Sequence, residues 1–291
     1  MKNNFIDISR PMNYTEMMQK IECMLEKYSF LSFNSIGETI LGKTIPLLSF
    51  GEGKKSVLYI GAHRATDWKI SNILIKFTDD ICRLIHNNST AYGYDIVNLM
   101  SMRNICIIPM LNPDGVDYNI NGIEENNPLY ERVLSMNNMK SDFSEWTSNA
   151  RGVELEKNYV CLQNNANNLT TMAGREGEWS ESEPEIGGLC NYLRYNINIK
   201  AILSLNGTVG NSFYHMNIVT SGNGVANKIC KILGISEFQD GYEAINHTFG
   251  LGDWCLDNIG LPVFDIMIQS GKESITYPKL KETLFKVPTF L

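Results

Sequence analysis

The sequence predicts an α/β domain, and three observations carry that expectation. Short apolar runs alternate with segments of helical period, the signature of strands interleaved with helices. No internal repeat or long linker divides the chain. Its 291 residues are 43% hydrophobic and 20% charged, the balance of a folded protein, and they are enough to bury a substantial core.

Taken in order, the elements follow from local signals. Residues 1–12 read as an N-terminal extension and 13–291 as the domain. Asn13-Tyr-Thr-Glu16 has the form of a capping box, after which Met17, Ile21, Met24 and Leu25 fall on one helical face. Ser56-Val-Leu-Tyr-Ile-Gly-Ala62 is a short apolar run after a Gly/Lys turn and reads as a buried strand. From Trp68 to Ile85 the spacing of Ile70, Ile73, Leu74, Phe77, Ile81 and Leu84 predicts a helix. Ile105-Cys-Ile-Ile-Pro109 reads as another buried strand, ending in the turn Asn112-Pro-Asp-Gly115. Asp117 to Asn149 is weakly periodic, so it is expected to be a functional surface loop or to carry short helices. Asn-rich Gln163 to Asn168 reads as exposed loop. Ser182-Glu-Pro-Glu185 is a second capping box, opening a helix through Cys190, Leu193 and Tyr195. Ala201–Leu205 and Val263–Ile268 read as central strands, and Asp253–Asn258 as a short helix that Gly260 stops.

Lys+Arg 25 against Asp+Glu 32 gives a formal charge of -7, which argues against a general nucleic-acid binder because no basic stripe offsets it. No stretch approaches ~20 uninterrupted apolar residues, so no membrane span is expected. The opening MKNNFIDISRPMNY lacks the apolar run of a signal peptide, so the expected location is cytoplasmic or a spore compartment. Seven cysteines are scattered singly with no CxxC pair, which predicts reduced, mostly buried thiols.

Seven segments in order resemble the zinc carboxypeptidase family, specifically its bacterial branch that cleaves γ-D-glutamyl–diaminopimelate bonds in cell-wall peptides. They are Ser35-Ile-Gly-Glu-Thr-Ile-Leu-Gly-Lys43, Gly61-Ala-His-Arg-Ala-Thr-Asp-Trp68, Pro109-Met-Leu-Asn-Pro-Asp-Gly-Val116, Asp142-Phe-Ser-Glu-Trp146, Arg151-Gly-Val-Glu-Leu155, Ser182-Glu-Pro-Glu185 and Gly252-Asp-Trp254. The resemblance implies a single three-layer α/β/α domain with a mixed, twisted sheet and the site at strand ends. It also implies a catalytic zinc with three protein ligands and a carboxylate general base.

Carried over position by position, that machinery is largely missing. The first ligand position falls on Arg64, the second on Asp67, the third on Asn206, and the general base on Met267. Arginine offers no lone pair to a metal, asparagine is a poor zinc ligand, and methionine accepts no proton. The pair that grips the substrate carboxylate in the family falls on Glu156 and Lys157, with Arg151 the nearest counterpart of the oxyanion-stabilising arginine. Glu156 would repel a carboxylate by about 1–4 kcal/mol at close range, and Lys157 lacks the bidentate fork of arginine.

These departures predict a pseudoenzyme without cofactor, metal or catalytic residue. The expected ligand is a peptide or cell-wall fragment in the old cleft; a scaffold or regulator pairing with an active relative is the other form of the same reading. Arg64 is expected either to point to solvent or to pair with Asp67 or Glu156. Asp265 is expected to project away from Met267 and so not to replace it as base. Trp146, Tyr159, Trp179 and Tyr242 are read as groove-lining or, more simply, packing aromatics. His86, His215 and His247 are read as structural or surface residues. The alternative is an active enzyme: a zinc peptidase acting on cell-wall peptides through a non-standard His63/Asp67 site, or a metal-independent hydrolase using Cys161 or Ser204.

Overall fold

The computed structural model describes residues 6–159, 176–208, 216–218, 223–234, 239–240, 250–269 and 276–291. Gln163–Asn168, Cys161, His215, Tyr242 and His247 lie outside the described residues.

The chain opens with helix α1 (Tyr14–Lys27), then the strands β1 (Ser32–Glu38), β2 (Thr44–Phe50) and β3 (Lys55–Gly61) and helix α2 (Trp68–His86). A short hairpin of β4 (Thr90–Ala91) and β5 (Tyr94–Asp95) leads through α3 (Ile96–Met102) to β6 (Arg103–Ile108). Helices α4 (Pro113–Asn121), α5 (Tyr130–Met136) and α6 (Pro184–Tyr195) precede β7 (Ile199–Thr208). The last part holds β8 (Met216–Ile218), α7 (Asn223–Leu233), β9 (Gln239–Asp240), α8 (Leu251–Asn258), β10 (Val263–Gln269) and α9 (Tyr277–Lys286).

Among the described residues eight strands form one mixed sheet in the order β1-β2-β6-β3-β7-β10-β8-β9. Its centre, β6-β3-β7-β10, is parallel, and β2 and β8 pair antiparallel at its flanks. Such a centre must be covered on both faces, and it is. Val57, Tyr59, Leu203 and Phe264 face α1, α2, α7 and α9 in one apolar core. Leu58, Ile60, Ile202 and Val263 face α6 and α8 in a second. Between these layers β3 has β6 on one side and β7 on the other. The tips of β3 and β7 therefore border a topological switch point, where open α/β sheets form their crevices.

The capping box at α1 is present: Asn13 Oδ1 accepts from Glu16 N at 2.9 Å, and a Glu16 carboxylate oxygen accepts from Asn13 N at 3.3 Å. The second one is not. Glu183, not Ser182, is the N-cap of α6 and makes no side-chain capping bond. Ser182 Oγ is instead turned to Glu183 Oε1 (3.0 Å), and Asn158 Oδ1 takes the Glu183 N–H (3.0 Å). The turn expected at Asn112–Gly115 is the start of α4. Asn112 caps it by accepting from Gly115 N, and Pro113 sits at the first helical position, where its missing N–H costs nothing.

The weakly periodic stretch carries α4 and α5, closed over by a small apolar cluster of Tyr118, Val133, Phe143 and Trp146. Strand β1 escapes sequence reading because most of its side chains are exposed and no alternation marks it. Residues 6–12 pack on α2: Ile6 and Met12 are buried, and Asn72 Nδ2 donates to the carbonyls of Asp7 and Arg10. Among the described cysteines Cys23 is exposed and five are buried, all free. No helix among the described residues is long and apolar enough to cross a membrane.

Candidate functional site

Strand β3 ends at Gly61, where a Cβ would stand 2.8 Å from Ile70 and Leu74 side-chain carbons, so glycine lets α2 return close over the strand tip. Ala62 follows with φ +53, His63 turns inward, and Arg64 opens a single 3-10 turn, Ala65–Asp67, that runs into α2. Four sequence-predicted positions are thereby set around one strand tip or brought to it from elsewhere.

Arg64 does not reach Asp67. Its Nε and Nη2 both lie 2.7 Å from Glu156 Oε2, across 92 residues of chain. The pair is partly open, with Arg64 40% and Glu156 27% exposed along their side chains. Lys157 turns to its own segment, its Nζ 2.7 Å from Glu154 Oε2. Arg151 lies farther off, with Nη1 3.7 Å from Glu183 Oε1.

Asp67 is buried and accepts the backbone N–H of Gly207; Oδ2 has no partner among the described residues. A Cβ at position 207 would come within 2.3 Å of Oδ1, so the strand after Asn206 needs glycine to admit this carboxylate. Burial pushes the Asp67 carboxyl up to about 7, with Glu156 adding to the shift and the Gly207 N–H and Arg64 opposing it.

Asn206 and Met267 are register partners on the parallel strands β7 and β10, and so are Ser204 and Asp265 one pleat below. Asn206 is buried; its Nδ2 donates to Ser204 Oγ at 3.1 Å, and its Oδ1 has no partner among the described residues. Here the expectation for Asp265 is corrected. Residues two apart on a strand share a face, so Asp265 lies on the same side as Met267. It is hydrogen-bonded to Ser204 and lies within electrostatic reach of Glu156. Burial raises its carboxyl to about 7; Ser204 opposes the shift, and Glu156 and Asp253 add to it. Period-two counting from Met267 would have found it.

His63 is buried, its Nε2 2.7 Å from Tyr159 Oη, and its Nδ1 has no partner among the described residues. Burial, then the Arg64 charge, lowers its pKa to about 3, so the ring is neutral at ordinary pH. Asn112 Nδ2 holds the His63 carbonyl at 3.0 Å, which ties the strand tip to the start of α4. The contact between His63 and Tyr159 spans 96 residues and left no signal in the sequence. Of the predicted aromatics, Trp146 and Tyr159 are buried, whereas Trp179 is 61% exposed.

A guanidinium, one carboxylate and a carboxamide do not supply the three lone-pair donors that a catalytic zinc requires. Among the described residues no three His, Cys, Asp or Glu side chains stand where they could hold a metal ion. What the arrangement offers is a half-open ion pair over two protonatable carboxyls, Asp67 buried and Asp265 partly so, and several buried polar atoms without partners among the described residues.

Comparison with known proteins gives a consistent relationship. Residues 17–224 match the family model described as zinc carboxypeptidase. The chain is 28% identical over 270 residues to gamma-D-glutamyl-L-diamino acid endopeptidase 1 of Lysinibacillus sphaericus, an alignment covering 89% of this chain and 66% of that protein. It spans less than two thirds of the length of the curated relatives it matches. Among solved structures, bovine thrombin-activatable fibrinolysis inhibitor in complex with tick carboxypeptidase inhibitor superposes with a TM-score of 0.71 at 18% identity, covering 97% of this chain and 98% of that one. Murein-tripeptide amidase MpaA from Escherichia coli O157 gives 0.50 at 16% identity, covering 89% and 91%. These structural likenesses speak to the fold.

Proposed function

The chain belongs to the zinc carboxypeptidase family, and on that premise we propose that it is a catalytically degenerate member that binds a peptide or cell-wall fragment without hydrolysing it. The observation that carries this reading is the Arg64–Glu156 ion pair. One partner stands where the family places a metal-binding histidine, the other where it grips the substrate carboxylate. The pair thus spends both functions on an internal contact. Met267, at the position of the general base, has no group that accepts a proton, and loss of a base alone typically costs ~10²–10⁴-fold in rate. The ligand class follows the relative named as a gamma-D-glutamyl-L-diamino acid endopeptidase.

Zinc content of the purified protein, measured together with hydrolysis of γ-D-glutamyl-L-lysine, tests the reading. The expected result is no stoichiometric zinc and no cleavage in the natural chain. An Arg64→His/Asp67→Glu/Asn206→His variant is expected to take up metal. One tightly held zinc per natural chain, removed by chelator together with activity, would overturn it. A second reading, a zinc peptidase using His63 and Asp67, draws on one observation: His63 Nδ1 and Asp67 Oδ2 are both buried without partners among the described residues. It requires the opposite outcome in the same measurement, and loss of that zinc in a His63→Ala variant.

A further inference from the structure

On the face of the sheet covered by α2 and α9, about 20 Å along α2 from Asp67, one buried carboxylate is crowded by cations. Asp80 Oδ2 accepts from Lys281 Nζ at 2.9 Å and from Tyr277 Oη at 2.8 Å, both on α9. Its Oδ1 is paired with Arg83 Nη2 and lies 3.6 Å from Lys76 Nζ, both on α2. Lys281 stands 201 residues from Asp80 in sequence, so nothing there marks the cluster.

Burial opposes the charge on Asp80, but the hydrogen bonds from Lys281 and Tyr277 and the nearby lysine charges outweigh it, and the carboxyl is held below its ordinary value. Three cations thus share one anion. The next charges out, Lys27 and Lys286 against Asp79 and Glu282, balance one another, so a positive surplus stands among the described residues. It persists without Lys76, which is turned over the Tyr277 ring at 5.0 Å. The surplus also faces outward: Arg83 is 53% exposed along its side chain, and Lys281 is partly open.

Aromatic side chains border these cations. The β4–β5 hairpin pairs Ala91 with Tyr94, which leaves Tyr92-Gly93 as a two-residue turn at φ +50 and +85. Asparagine and glycine are the usual occupants of such a turn, and a tyrosine there is strained. The Tyr92 ring leans on Phe285 (centroids 5.2 Å apart), has Lys286 Nζ 5.8 Å from its centre, and is still 38% exposed. Tyr94 and Val97, both exposed, continue the patch. Open tyrosines beside an arginine have the composition of a protein-binding hot spot.

We propose that α2, α9 and this hairpin form an interface for an acidic segment of a partner protein, whose carboxylates meet Arg83 and Lys281 while an apolar residue beside them covers Tyr92. The cleft at the strand tips plays no part in it, so the inference is independent of the function proposed above. The partner's chemistry follows from the charges. The surplus attracts anions locally, whereas the formal net charge of -7 on the whole chain repels a long polyanion such as a nucleic acid. Carboxylates match the guanidinium fork, and the rings offer apolar contact area that phosphates alone would not use.

The test is a calorimetric titration of the full chain with a short glutamate-leucine peptide, its glutamine-leucine counterpart and a single-stranded DNA of equal charge, at ~20 and ~200 mM salt. Saturable binding of the glutamate peptide is expected, weaker at the higher salt and absent for the glutamine peptide. Arg83→Gln is expected to weaken it by about 2–5-fold, the loss of one rim charge. Tyr92→Asn, which suits the left-handed turn and so keeps the hairpin, is expected to weaken it by about 5-fold or more. Lys200→Gln, at an exposed lysine on β7 whose Nζ donates to Ile197 O, is expected to change nothing. The proposal is overturned by no saturable binding at the lower salt, by an affinity that Arg83→Gln and Tyr92→Asn leave unmoved, or by equal losses in Lys200→Gln and Arg83→Gln. Tighter binding of the DNA with the same dependence on Arg83 overturns it too. So does self-association of the free chain that Arg83→Gln abolishes, which would give the face to a second copy.

Discussion

Glu156 carries three relationships at once: it closes on Arg64, and its charge raises both the Asp67 and the Asp265 carboxyls. Replacing it by glutamine separates them. Because the ion pair is partly solvated, Glu156→Gln is expected to change stability by less than about 1 kcal/mol. Both aspartates should then titrate lower than in the natural protein, since a negative neighbour has gone while the Arg64 charge remains. Carboxyl-resolved NMR titration checks the direction, and an upward move of either group would contradict the assigned geometry. Sequence reading named this contact as one expectation for Arg64, through the family motif's spacing from Trp68 and from Gly152, and of the two carboxylates it offered the structure pairs Glu156, 92 residues away. The contact of Tyr159 with His63, 96 residues apart, has no such motif behind it, and Asp265 was missed through miscounting a strand whose period is two.

At the scale of elements, the join between the β3 tip and α4 rests on one side chain. Asn112 is fully buried, accepts from Gly115 N and donates to the His63 carbonyl, so it caps a helix and fixes a strand end together. Asn112→Ala removes a cap and leaves two backbone groups buried without partners, an expected loss of roughly 2–4 kcal/mol. Asn112→Asp, which keeps the acceptor but loses the donor, should fall between alanine and the natural residue. Urea denaturation of the two variants checks the order; a cost for alanine below that of aspartate would show that the bond to His63 is not what holds the join. Here sequence reading saw a turn where there is a helix start, because Asn-Pro-Asp-Gly satisfies both patterns and only the chain that follows decides between them. Central strands were legible from apolar runs. Strand β1 was not, since its exposed face lacks alternation and its place is set by β2 beside it.

For the whole molecule, the buried carboxyls set how stability depends on pH. Asp67, Asp265 and Glu185 each have folded pKa values near 7, chiefly through burial, well above those of an unfolded chain. Between about pH 4 and 7 the folded state therefore holds more protons at these groups, and each withdraws stability as pH rises through that window. His63 acts in the opposite sense: its folded value near 3 adds stability as pH rises towards its unfolded value of about 6.5. Three groups outweigh one, so the urea midpoint is expected to be higher near pH ~5 than near pH ~8. Glu185 isolates one share of this. It lies away from the Arg64 pair, with Asp114 and Glu183 as neighbours and Oε1 without a partner among the described residues. Glu185→Gln carries no charge to desolvate, so it should match the natural protein near pH ~5 and exceed it by roughly 2–4 kcal/mol near pH ~8. A natural midpoint that climbs steadily across this range, or a glutamine variant weaker at the alkaline end, would mean that these carboxyls are ionised and compensated in the fold.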